Sequence, residues 1–122
     1  MIFGAGTDII EIARVEKAVS DAAFYEKTFT PAEMEYLSGR SPQSAAGLFA
    51  AKEAVAKALG TGFRGFRPLD VEISHDSQGK PEVKLHNRAA ETAAENSVTK
   101  IHLSISHCGK YAVAYVIAEV RQ

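Results

Sequence analysis

The chain has 122 residues, enough for one compact domain over 1–122 with a single hydrophobic core, and it carries no low-complexity block and no internal repeat. An apolar content of 46% with no run long enough to span a bilayer, together with a net charge of −1, argues against a membrane protein and against a nucleic-acid binder. The lone cysteine, Cys108, rules out an internal disulfide, and no grouped Cys/His spacing suggests a structural zinc.

Met1 to Ile10 is apolar and β-branched and reads as a buried first strand ending near Asp8, with Gly4 and Gly6 placed where another backbone comes close. Asp8 and Glu11 interrupt this apolar run, so no secretory signal is read there and the chain is expected to stay in the cytoplasm. Glu11 to Val19 follows helical spacing, with Ile12, Val15 and Val19 on one face and Arg14 and Lys17 off it. Thr30-Pro31-Ala32-Glu33 is a helix start of the capping-box type, which predicts a short helix over 31–38 before Gly39. Ser41-Pro42 opens an alanine-rich helix that runs to Leu59 and stops at Gly60. Alternation from Leu69 to His75, a turn around Gly79-Lys80-Pro81 and a second run to Leu85 form a hairpin. Asn87 is placed to cap a helix reaching about Asn96, and Ile101 to Ser106 and Tyr111 to Glu119 are strands joined by a turn at Cys108-Gly109-Lys110. The order β-α-α-α-β-β-α-β-β predicts an α+β fold, a small antiparallel sheet with helices packed on one face.

Charge is unevenly spread. Residues 1–40 hold four basic and seven acidic side chains, whereas Lys57, Arg64 and Arg67 lie in a stretch with no acid, which could face an anion. Gly4-x-Gly6 is not a dinucleotide fingerprint, because Ile9 stands where the third glycine belongs. Gly60-Thr61-Gly62 lacks the phosphate-loop pattern and by itself is a helix stop. Phe49, Glu53 and Lys57 share one helix face with Lys52 beside them, and an ordinary solvated Glu–Lys pair accounts for that spacing. Asp8, flanked by Ile9 and Ile10, needs a partner. Either a divalent cation shared with Glu53 or a salt bridge to a lysine or arginine would serve. His107 sits at a strand end where it could reach a ligand, and nothing in the sequence lowers the pKa of Cys108.

Three segments together resemble the holo-acyl-carrier-protein synthase family of phosphopantetheinyl transferases. They are Gly6-Thr7-Asp8 with Arg14 six residues on, Phe49-Ala50-Ala51-Lys52-Glu53-Ala54-Val55-Ala56-Lys57-Ala58 followed by Gly60-Thr61-Gly62, and Ser104-Ile105-Ser106-His107 followed by Tyr111-Ala112. The resemblance implies the phosphopantetheinyl transferase fold, a homotrimer with active sites between subunits, and transfer of 4′-phosphopantetheine from coenzyme A to a serine of an apo acyl carrier protein, in fatty acid biosynthesis. It puts Mg2+ on Asp8 and Glu53, catalysis on Glu53, Lys57 and His107, and coenzyme A contacts on Lys57, Gly60, Gly62, Arg64, Ser106 and His107. Carrier docking falls on Arg14 and Lys17. Two departures stand out: Leu48 replaces an arginine common in relatives, and Ser20 to Ala23 lack the basic residues usual after the first helix. A coenzyme A binding module without catalysis and a trimeric structural protein are the competing readings. Two carboxylates beside a diphosphate would repel it without a cation, and this favours the enzyme.

Overall fold

The computed structural model describes residues 1–121. Strand β1 (Ile2–Glu11) leads into α1 (Ile12–Val19), α2 (Ala22–Thr28), α3 (Pro31–Leu37) and α4 (Pro42–Ala58). Two short 3-10 turns precede a hairpin, β2 (Val71–His75) and β3 (Pro81–Leu85), and α5 (Asn87–Glu95), β4 (Val98–Cys108) and β5 (Tyr111–Val120) complete the chain. All strand pairs are antiparallel, in a three-stranded sheet of order β1-β5-β4 and the separate β2-β3 hairpin. The fold is α+β, as the element order predicts.

Helix α4 lies across the three-stranded sheet at very short range, and residue size explains how. Central strand β5 turns Ala112, Ala114, Val116 and Ala118 inward, all of them buried, against a helix face rich in alanine. On β1 a Cβ at Gly4 would overlap the carbonyl of Ala58. One at Gly6 would overlap the carbonyl of Ala54 and come within 2.8 Å of the Ala58 nitrogen. The paired glycines therefore mark a close backbone approach, as their spacing suggests.

Several expectations need correction. β1 is not buried on both faces: Phe3 and Ile9 are exposed, because only alternate residues meet α4 and none of the described residues covers the other face. The strand also continues past Asp8 to Glu11. Helix α2 is missing from the sequence reading, although Asp21 signals it by accepting hydrogen bonds from the amides of Ala23 (2.9 Å) and Phe24 (3.3 Å). Asn87 does not cap α5. It occupies the first helical position with φ 49° and donates to Asp70 (3.2 Å), while His86 stands at the cap. Leu69 falls in a 3-10 turn ahead of β2.

Lys52 departs most from its predicted place. Instead of lying beside Glu53 in solvent it is fully buried, with Nζ 2.7 Å from the Glu33 carboxylate. Its ammonium also donates to the carbonyls of Val71 (2.6 Å) and Pro68 (3.0 Å). Burial pulls its pKa down, against the pull of Glu33. Glu33 closes the predicted capping box with Thr30 and accepts from the Ile73 amide (2.8 Å), so every polar atom of the pair has a partner.

Candidate active site

Asp8 sits on the inner side of β1, two residues beyond Gly6, so the close approach of β1 and α4 carries it to the helix face that bears Glu53 and Lys57. Lys57 Nζ lies 3.1 Å from Asp8 Oδ1 and donates to the Thr7 carbonyl at 3.0 Å. A solvated Glu53–Lys57 pair along the helix is not what the structure contains. The lysine instead supplies the partner that Asp8 requires.

Glu53 is partly buried on the same cleft wall. Its carboxyl is pushed above the usual carboxylate range by burial first and by the charge of Asp8 second, with Lys57 opposing. One ammonium thus serves two carboxylates. The remaining negative charge, the raised proton affinity of Glu53 and an all-oxygen donor pair fit a hard divalent cation such as magnesium. Among the described residues no three His, Cys, Asp or Glu side chains group to hold a metal, so a cation on Asp8 and Glu53 would keep coordination positions open for water and phosphate oxygens.

The cleft is open, has a volume of about 490 Å3 and runs between β1, α1, α2 and α4. Its lining combines the polar side chains of Asp8, Glu53 and Arg14 with the apolar ones of Val15, Phe24 and Phe49. Phe24 and Phe49 pack with ring centroids 5.9 Å apart. Val15 is the buried anchor of α1, while Arg14 and Lys17 are both exposed; of these two, only Arg14 lines the cleft.

Beyond α4, Gly60 (φ 85°) and Gly62 (φ 60°) take left-handed backbone conformations, and the Gly60 amide closes the helix on the Lys57 carbonyl (3.0 Å). Arg64 follows, exposed, with Nε on the Thr61 carbonyl (3.1 Å). Arg67 is engaged by Asp70 at 3.3 Å, so the basic stretch is less free than its composition suggests.

Ser106 and His107 lie elsewhere within one chain. Ser106 is exposed opposite Val113 on β5, and His107 lines a separate recess of about 220 Å3 with Gly47, Leu48 and His75. Leu48 is a buried core residue that backs this recess. Tyr36 stacks on His75 (4.0 Å between centroids, 7° between planes), and the Arg40 guanidinium lies 4.0 Å over the Tyr36 ring. This stack and Phe24 escaped the sequence reading. The Asp21 cap would have revealed α2 and with it Phe24, whereas no local signal brings Tyr36 to His75.

The family model of the 4′-phosphopantetheinyl transferase superfamily matches residues 4–116. The chain belongs to this superfamily. A holo-[acyl-carrier-protein] synthase of Clostridium novyi is 52% identical, over 98% of this chain and 89% of that protein. Another, of Geobacter sulfurreducens, is 48% identical over 98% of each. Among solved structures, the holo-[acyl-carrier-protein] synthase of Neisseria meningitidis superposes with a TM-score of 0.90 at 35% identity, covering 98% of this chain and 99% of that one. The Helicobacter pylori synthase in complex with coenzyme A gives 0.85 at 33% identity, covering 94% and 99%. For this transferase the comparisons agree with the resemblance carried by the three sequence segments.

Proposed function

We propose that the chain is a holo-acyl-carrier-protein synthase, which transfers 4′-phosphopantetheine from coenzyme A to a serine of an apo acyl carrier protein for fatty acid biosynthesis, with residues 1–122 acting as one transferase domain. The observation that carries this reading is the cluster of Asp8, Glu53 and Lys57, whose two carboxylates line an open cleft, in a chain of this superfamily.

In the reaction the serine Oγ attacks the β-phosphorus, its bond to the bridging oxygen breaks, and adenosine 3′,5′-bisphosphate leaves. Asp8 and Glu53 are the residues that would hold Mg2+, whose charge offsets that of the diphosphate when it is bound. Lys57, half exposed, turns from Asp8 to a phosphate oxygen and adds a positive contact there. Glu53, acting through a water that the cation would hold, is the first candidate to take the serine proton, with His107 as the second.

The trimer is supported by the outer face of the sheet, where Ile9 on β1 lies exposed between Tyr111 and Tyr115 of β5 and Phe3 is exposed further along β1. It also answers the separation of His107 from Asp8, since the His107 recess of one subunit would complete the cleft of another. In that arrangement Gly60, Gly62, Arg64, Ser106 and His107 contact coenzyme A. Arg40, fixed over Tyr36, offers a cation near the position where Leu48 has removed one. Arg14, which lines the cleft, and Lys17 receive the acidic carrier. We place the enzyme in the cytoplasm, where the exposed thiol of Cys108 stays reduced.

Mass spectrometry of apo carrier proteins incubated with the chain, coenzyme A and magnesium tests the reading. Addition of one phosphopantetheine to the carrier serine is expected, and apo carriers left unmodified under these conditions would refute it.

A further inference from the structure

The mechanism above makes no use of the most deeply buried charges in the molecule, Lys52 and Glu33. Both are fully buried, and their contacts tie four segments together: α4 through Lys52, the start of α3 through Glu33 and Thr30, the turn at Pro68, and β2 through Val71 and Ile73. Stability alone does not account for a lysine here. A buried ion pair is generally no better for stability than apolar side chains of the same shape, because both charges must leave water. What it does provide is direction. An ammonium with three acceptors in fixed positions defines where its own stretch of helix sits and how far that stretch is turned about its axis.

Helix α4 needs such a device. Toward the sheet it presents Gly47, Ala54 and Ala58, and the glycines of β1 lie directly on its carbonyls. Small residues make shallow ridges, which allow close approach but oppose sliding and rotation less than large interlocking side chains. Glu53 is the next residue after Lys52, and Lys57 follows one turn later. Side-chain ends lie about 5–6 Å from a helix axis, so turning α4 by about 20° would carry the Glu53 carboxylate about 2 Å. A shift of about 1 Å in a reacting group can cost about a hundredfold in rate.

We propose that Lys52 is a positioning residue for the transfer reaction. Clamped by Glu33 and the carbonyls of Val71 and Pro68, it sets the rotation of α4 so that Glu53 and Lys57 face Asp8. This rests on the reading of Asp8, Glu53 and Lys57 as the reacting site.

The test compares Lys52→Met/Glu33→Gln, which removes both charges at nearly constant volume, with Val55→Ala, a truncation at another fully buried position of α4 that leaves the clamp intact. Thermal melting and steady-state kinetics with coenzyme A, magnesium and an apo carrier are measured for each. The double variant is expected to melt cooperatively and to lose about tenfold or more in kcat, with KM for coenzyme A changed by less than about threefold. Val55→Ala is expected to lose stability and keep its kcat at temperatures where it is folded. A double variant with wild-type kcat overturns the proposal, as does a kcat loss in Val55→Ala equal to that of the double variant. Lys52→Met alone is the second variant, and if neither form can be obtained folded the clamp serves folding and the proposal falls. Glu53→Gln, assayed in parallel, separates the two levels of argument. Full activity there would refute the site itself, whereas an inactive Glu53→Gln beside a fully active double variant refutes only the positioning role.

Discussion

Gly6→Ala is the smallest change that should damage both the fold and the chemistry. The new methyl would overlap the Ala54 carbonyl and lie 2.8 Å from the Ala58 nitrogen, and both are helix backbone atoms that cannot move aside alone. β1 and α4 must therefore separate by roughly 1 Å, at an overpacking cost of about 1–3 kcal/mol. Gly6 has no positive φ, so alanine fits its backbone, and the smaller entropy of the unfolded chain returns about 0.4–1 kcal/mol. The net loss of about 1–2 kcal/mol corresponds to a fall of about 4–8 °C in Tm for a chain of this length. Activity should suffer more than stability, because Asp8 is two residues away on the same face and moves with the strand; a decrease of about 10- to 100-fold in transfer rate at a temperature where the variant is folded is expected. Gly65→Ala is the control. Its φ is −109° and nothing lies near its would-be methyl, so it should melt at or slightly above the wild-type temperature. Differential scanning calorimetry and a carrier-modification assay read both effects. A Gly6→Ala protein with wild-type Tm and full turnover would show that the glycine contact neither limits packing nor sets the position of Asp8.

Glu53→Gln should abolish most transfer while raising stability slightly at neutral pH in metal-free protein. The folded carboxyl binds its proton more tightly than the unfolded one, so the ionised group destabilises the fold above its raised pKa, and that penalty vanishes below the ordinary value of 4.5. Melting curves of both proteins across pH should therefore converge on acidification, and a gap that widens instead would contradict the assigned direction. Asp8→Ala should fold and lose most transfer, chelator should stop the wild-type reaction, and magnesium or manganese should restore it; undiminished turnover in chelator counts against a metal on Asp8 and Glu53. Arg14→Ala should raise KM for the carrier without changing that for coenzyme A, in a manner that weakens with salt, and an unchanged carrier KM at low salt would show that Arg14 does not dock the carrier. Ile9→Lys, at a site 65% exposed in the single chain, should shift the light-scattering mass from trimer to monomer, and an unaltered trimer would place the interface elsewhere.

Which parts of this were legible in the sequence follows from the range of each interaction. Thr30 and Glu33 are three residues apart, and their capping box was readable because its atoms belong to one turn. Gly4 and Gly6 announced a close approach through their spacing alone, though not that Ala54 and Ala58 would be what they meet. Phe49, Glu53 and Lys57 were correctly placed on one face, yet helix spacing favoured a Glu53–Lys57 pair. The contact that forms joins Lys57 to a residue 49 positions earlier. The place of Lys52 is hidden for the same reason, since the Glu33 carboxylate comes from another helix and the carbonyls of Pro68 and Val71 lie 16 and 19 residues further along the chain. The exposed outer face of β1 was read as buried because an apolar run does not state whether its second face is covered by the same chain.

Three of the four inward residues of β5 are alanine, and this gives the sheet layer a one-sided tolerance to change. Side chains there are already near the minimum size, so truncation removes little and leaves no cavity of consequence. Enlargement has little room, because these residues pack against the alanine-rich buried face of α4. Sequence drift in this layer is thereby confined to exchanges among small residues, while Val113, Tyr115 and Ile117 alternate with them on the opposite face of the strand. A single strand thus separates a face constrained by α4 from one whose side chains would answer to a neighbouring subunit, so the two faces of β5 change under different partners.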